Sequence, residues 1–186
     1  MLFTKSVQEL KFGAMARSPG GLLVPAHARG RWLLRASDRN GKILWEDFID
    51  NLVTTEGKNY LLDTGIASPS SPQTPIADWF IGLTDGTPTA AAGDTLASHA
   101  GWVEVTAFTG NRKLYTPVAA SAGSITNAAA LASFAIDADS TTIGGAFLAS
   151  VDTGTGGTLY AIGASTGGDV VLNNGSTLEV TAVFSL

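Results

Sequence analysis

The chain has 186 residues, enough for one domain with a buried core, and its 22 glycines beside abundant Ala, Ser and Thr suit short strands and turns rather than long helices. It contains no cysteine, which excludes disulfides and thiolate metal sites and leaves stability to packing or to neighbouring molecules. The net charge of −5 is unevenly placed: residues 1–42 hold eight basic and two acidic side chains and the rest three basic and fourteen acidic, so the basic end is expected to meet an acidic surface.

Aromatic residues are not interleaved among the clustered Lys and Arg, so that surface is expected to be protein rather than nucleic acid. The N-terminal MLFTKSVQEL has no apolar run long enough for a signal peptide, and no stretch approaches the length of a transmembrane helix. A soluble intracellular product is the expectation. Residues 1–28 read as an extended arm. Ser18-Pro-Gly-Gly21 and Val24-Pro25 break any regular element there, while Leu2, Phe3, Leu10, Phe12, Leu22, Leu23 and Val24 are too many for a disordered tail. Such an arm is expected to dock its apolar side chains on another subunit.

A single β domain is expected over residues 29–186. Arg31–Ser37 alternates, with Trp32, Leu34 and Ala36 on one face, and Asp38-Arg-Asn-Gly41 is a hairpin turn. Lys42–Ile49 returns as the partner strand, with Ile43, Trp45 and Phe48 as its anchors. A short helix is expected over about 54–64, capped by Thr54 or Thr55, with Glu56 in its first turn and Gly65 at its end. Ser68–Pro75 is a Pro/Ser loop.

From Asp78 onward the pattern is β. Trp79, Ile81 and Leu83 share a face, as do Val103, Val105 and Ala107. Ala132, Phe134 and Ile136 form a third set, and Ile143, Gly145, Phe147 and Ala149 a fourth. Leu159 and Ala161 alternate with Tyr160 and Ile162. Asp169–Leu172 precedes a second hairpin turn, Asn173-Asn-Gly-Ser176. Thr177–Phe184 is the cleanest strand, with Leu178, Val180, Ala182 and Phe184 inward. Many short strands with Gly-rich turns predict a mainly β fold: an antiparallel sandwich or jelly-roll-like barrel with one short helix and an extended N-terminal arm.

Candidate chemistry is sparse. His27 and His99 each stand alone, whereas zinc needs three or four ligands, so a hydrogen-bonding role is expected for both. No G-x-S-x-G elbow supports a nucleophilic serine. Asp152-Thr-Gly-Thr-Gly-Gly lacks the Gly-Lys-Ser/Thr of a phosphate loop and reads as a turn. Asp137, Asp139 and Asp152 could meet around calcium, but their spacing matches no EF-hand. The four tryptophans, Trp32, Trp45, Trp79 and Trp102, lie beside aliphatic residues and read as core rather than as a sugar-stacking platform.

Several segments resemble structural proteins of tailed-phage particles. They are Gly41-Lys-Ile-Leu-Trp-Glu-Asp-Phe-Ile-Asp-Asn-Leu-Val-Thr-Thr-Glu-Gly-Lys-Asn-Tyr-Leu-Leu-Asp63, Trp79-Phe-Ile-Gly-Leu83, and Ala92-Gly-Asp-Thr-Leu-Ala-Ser-His-Ala-Gly-Trp102. Ser124–Asn127, Gly144–Phe147 and Gly156–Ala161 are similar too, so the resemblance covers about residues 30–186 and not the arm. It implies a head decoration (cement) or minor structural protein, not an enzyme. A tail, fibre or adaptor protein is the alternative, and a carbohydrate-binding β module a more distant one. The implied partners are the major capsid protein and further copies of this chain, as a dimer or trimer, with no nucleic acid, membrane or cofactor. The implied location is the phage head surface, after synthesis in the host cytoplasm. It carries over no catalytic or metal-binding residue. Expected contacts are Phe3, Lys5, Lys11, Phe12, Arg17 and Arg29 from the arm side. From the body they are Asp85, Thr87, Asp94 and His99, in a small-residue loop able to lie flat against a neighbour.

Overall fold

The computed structural model describes residues 28–65 and 74–186, together with the strands β1 (Ala14–Arg17) and β2 (Leu23–Ala26). β1 and β2 pair antiparallel, with Met15 opposite Pro25. The arm was expected to hold no such element. A two-stranded ribbon has only edge strands, which is the setting where proline fits a strand.

Among the described residues the body is mainly β, with one helix. Its strands are β3 (Arg29–Ser37), β4 (Ile43–Val53), β5 (Phe80–Asp85), β6 (Val103–Val105), β7 (Lys113–Leu114), β8 (Ser124–Thr126), β9 (Ala132–Ala135), β10 (Thr141–Ile143), β11 (Gly145–Ala149), β12 (Leu159–Ala164), β13 (Val170–Leu172) and β14 (Thr177–Ser185). The main sheet runs β6-β5-β11-β12-β4-β3-β14-β8, with β7 also on β5 and β9 also on β14. Every pairing is antiparallel.

β4 is the hinge of this sheet. Its Ile43–Asp50 stretch pairs with β3, and its Asn51–Val53 end pairs with β12. The sheet therefore folds over on itself as a β-sandwich. Tyr160 of β12 and Phe184 of β14 meet edge to face across the interior, their centroids 5.4 Å apart. On the opposite side a bridge between Phe108 and Ile136 joins the two layers again. One continuous core fills the space, led by Trp32, Phe134, Leu34, Ile49, Ile81 and Leu83. Burial there pushes the phenols of Tyr115 and Tyr160 up to about 12.

Several expected elements are present. β14 buries Leu178, Val180, Ala182 and Phe184, as its alternation predicts. α1 (Thr55–Gly65) starts where the cap residue places it: Thr54 Oγ1 accepts the Gly57 amide at 3.0 Å. The Glu56 carboxylate accepts the Leu159 amide at 3.0 Å, which ties the helix to β12. In the β3–β4 turn, Asp38 Oδ1 accepts the amides of Asn40 and Lys42, and Gly41 supplies the positive φ of +80°. The Lys42 and Asn40 amides hold the Asp38 carboxyl below its usual range.

Other expectations are corrected. Ile43 and Phe48 are about half exposed rather than core anchors, and Ile49 takes the buried position instead. Trp45 and Phe48 are three apart, so in a strand they cannot share a face. Val103 keeps the inward phase of Val105 but sits near the end of an edge strand and is exposed. The Asn173–Ser176 turn forms, with Gly175 at positive φ, yet the strands it joins do not pair. β13 pairs with β10 in a separate two-stranded sheet, and β14 pairs with β3.

Candidate functional site

Two outer faces of the sandwich carry apolar side chains, and the chain treats them differently. Register places Gly82, Thr84, Glu104, Gly145 and Phe147 together on the face of β5, β6 and β11 turned away from the interior. Phe147 lies over Gly82, where any side chain would collide with its ring.

The long connection from β5 to β6, residues 86–102, folds down over this face. Pro88 reaches Gly145, and the Trp102 ring packs against Phe147 with centroids 5.1 Å apart. Leu96 and Trp102 are both buried. Polar groups fasten the cover. Asp94 Oδ2 accepts the Ala91 amide at 3.0 Å and Trp102 Nε1–H at 3.2 Å. The His99 ring stacks on Trp102 at 3.6 Å, and its Nδ1 donates to the Trp102 carbonyl at 3.0 Å. Arg112 forms a two-pronged bond to Glu104, both contacts 2.7 Å, and also donates to the carbonyls of Val151 and Gly154. Its guanidinium lies over the Phe147 ring.

The expected contact loop thus lies flat against its own sheet. Asp94 is buried, and its carboxylate accepts from Trp102 and the loop backbone. His99 is half-buried and spent on Trp102. Asp85 and Thr87 remain exposed, and Thr87 Oγ1 donates to Asp169 at 2.7 Å. On the arm side, Arg29 opens β3, exposed, and Arg17 ends β1 opposite Leu23. Phe3, Lys5, Lys11, Phe12 and His27 lie outside the described residues. The acidic trio separates by partner: Asp139 accepts the Asn174 amide and Asp152 the Asn111 side chain. Among the described residues, no three His, Asp or Glu side chains gather as a ligand set for a metal ion.

The second face belongs to β3 and β4. Three rows of cross-strand neighbours cross it: Arg31 opposite Asp50, Leu33 opposite Phe48, and Arg35 opposite Glu46. Arg31 Nε donates to Asp50 at 3.1 Å and Arg35 Nε to Glu46 at 2.7 Å. Phe48 is 53% exposed, and Leu44, at the register shift near the strand's start, is 50% exposed. On the inward side of the same ribbon Asp47 accepts Ser165 Oγ at 2.6 Å and the amides of Thr166 and Gly167 at 2.9 Å. Burial raises the Asp47 pKa, but these bonds outweigh it, and its carboxyl lies below the usual range.

Strict period-two phasing of β4 from Ile49 outward was the signal for this face. It puts Glu46, Phe48 and Asp50 on the side away from the core. It also revises the charge asymmetry. Arg31 and Arg35 are neutralised within the sheet, so the basic excess of the arm proper is Lys5, Lys11 and Arg17 against Glu9. Comparison with protein-family models, with curated proteins and with solved structures found no match.

Proposed function

We propose that this protein is a structural binding module that decorates a tailed-phage head as a cement protein. Many copies attach to the outer surface of the shell and bridge neighbouring capsid subunits. The observation that carries this reading is the outer face of β3 and β4, an apolar row between two ion-paired rows, with half-exposed Phe48 at its centre. A row of that kind favours assembly with another protein surface, a further copy of this chain included, over catalysis, and leaves attachment to the shell to the arm. The resemblance to phage particle proteins read from the sequence, which is an expectation and has no match among known families, includes Gly41–Asp63 in this ribbon.

The role is mechanical. Each attached copy adds buried area across a joint between subunits, and repetition around a symmetric shell turns modest contacts into high avidity. The partners are the major capsid protein and further copies of this chain. Attachment to an adjacent subunit falls to the arm; with β1 and β2 paired antiparallel its reach is shorter than the roughly 90 Å of 28 fully extended residues.

The test compares heads assembled with and without the protein. Heads lacking it are expected to release DNA at lower temperature, and adding the purified chain back restores them. Equal stability of the two preparations overturns the cement role. Copy number per particle separates locations: hundreds fit the head, whereas a few dozen or fewer fit a tail or fibre position instead.

A further inference from the structure

The outer face of β3 and β4 is self-complementary about one axis. Its three rows, Arg31–Asp50, Leu33–Phe48 and Arg35–Glu46, lie in that order along the strands. Consider two copies stacked face to face about a two-fold axis running parallel to the strands, between β3 and β4. β3 of one copy then lies over β4 of the other. Arg31 faces Asp50 of the second copy, Leu33 faces its Phe48, and Arg35 faces its Glu46. The other in-plane axis, across the strands, stacks Arg31 on Arg35 and Asp50 on Glu46. Like charges would then meet in every charged row, at a cost that grows as water is excluded.

We propose that this face is the two-fold interface of a homodimer of the chain, with its axis parallel to β3 and β4. Charge argues for a second copy as the occupant. Residues 29–186 hold eight basic and fifteen acidic side chains, so two bodies repel each other over most of their surface. The three rows carry two Arg and two acidic groups and no net charge, so two copies can approach there. Each guanidinium gains a second carboxylate, which offsets its loss of water, and the Leu33–Phe48 row supplies the apolar centre. Sheets stacked face to face cross at about 30°, an offset that a patch two strands wide tolerates. This deepens the self-association named above but involves no particle, so it is tested on the free chain.

The experiment is sedimentation equilibrium of the full-length protein. Wild type is expected to be a dimer and Phe48→Glu a monomer. Arg35→Glu and Glu46→Arg are each expected to weaken the dimer by about tenfold or more. Mixing those two variants restores a heterodimer, because opposite charges again face each other between copies although each chain's own cross-strand pair stays like-charged. Circular dichroism melts confirm that each variant is folded. A monomeric wild type overturns the proposal and leaves the face to residues 1–28 of the same chain or to another partner. A dimer that survives Phe48→Glu overturns it too, and a mixture that stays monomeric overturns the axis. A dimer that fails to bind heads keeps this interface and sinks the cement role.

Discussion

The β5–β11 pair and the β3–β4 pair are both antiparallel, and both carry apolar side chains on the face turned away from the sandwich interior. Over Phe147 the chain lays residues 86–102, and Phe147 is fully buried. Over Leu33 and Phe48 the described residues lay nothing comparable, and Phe48 stays 53% exposed. Charged residues follow the same division. The side chains of Arg112 and Glu104 are 3% and 27% exposed, those of Arg31 and Asp50 64% and 78%. The ion pairs are chemically alike, and the presence or absence of a cover decides what each is worth. Under a cover a guanidinium must find every partner within the protein; in the open, water competes for each bond.

The largest effect expected from this contrast is at Arg112. Replacing it by Ala strips Glu104, Val151 and Gly154 of their donor in a buried place and removes the cation over Phe147. Arg112→Ala is expected to cost about 3–5 kcal/mol of unfolding free energy. Arg31→Ala, which breaks an exposed Arg–carboxylate pair, is expected to cost at most about 1 kcal/mol. Urea unfolding of the two variants measures the difference directly. Equal losses would mean that burial contributes nothing to the Arg112–Glu104 pair.

Asp47 sits between these extremes, because it fastens the inward side of the open ribbon to the loop at Ser165–Gly167. An Asn there keeps the size but not the charge, so its oxygen accepts these donors more weakly. Asp47→Asn is expected to cost about 1–2 kcal/mol at neutral pH, allowing for solvent at its part-exposed edge. The pH dependence has a definite sign. The folded carboxyl lies below the ordinary value of 3.8, so its stabilisation is complete above that value and is lost as pH falls through the folded pKa. Acid titration of the unfolding midpoint should therefore show wild type and variant converging below about pH 4. A gap that stays constant into acid would remove the charge of Asp47 from the explanation.

Local rules carried much of the fold. Alternation in Thr177–Phe184 named the four inward residues of β14, and Thr54 ahead of Glu56 located the helix start. Where two local signals competed, phase decided: hydrophobicity favoured both Trp45 and Phe48 as anchors, and only one parity faces the core. Partner choice was not local. Asn173–Ser176 forms its turn, but whether β13 then pairs with β14 depends on β10 and β3, far away in sequence. The cover over Phe147 was hidden for the same reason. Arg112 meets Glu104 eight residues back, but its carbonyl partners at Val151 and Gly154 come from another connection. Asp94 looked like an exposed loop acid because nothing in its neighbourhood announces that Trp102 folds back onto it. The candidate site was legible only as a by-product, once β4 was phased from Ile49.

The smallest expected effect tests the open face itself. In the dilute chain Phe48 stays 53% exposed, and its neighbours on the face are Leu33 across the strands and the Arg31 guanidinium, 5.9 Å from its ring. Phe48→Ala is therefore expected to change the unfolding free energy by about 0.5 kcal/mol or less at concentrations where copies do not meet. Trp102→Ala, which uncovers Phe147 and releases Asp94, is expected to cost about 3–5 kcal/mol under the same conditions. Raising the protein concentration should then separate two kinds of apolar face. A face covered by its own chain gives a melting temperature independent of concentration. A face covered by a second copy gives one that rises with concentration, because the dimer binds only the folded state. Wild type is expected to show that rise, and Phe48→Ala is expected to show much less of it while melting almost identically when dilute. A wild-type midpoint that does not move with concentration would place β3 and β4 with the faces that this chain leaves bare in solution.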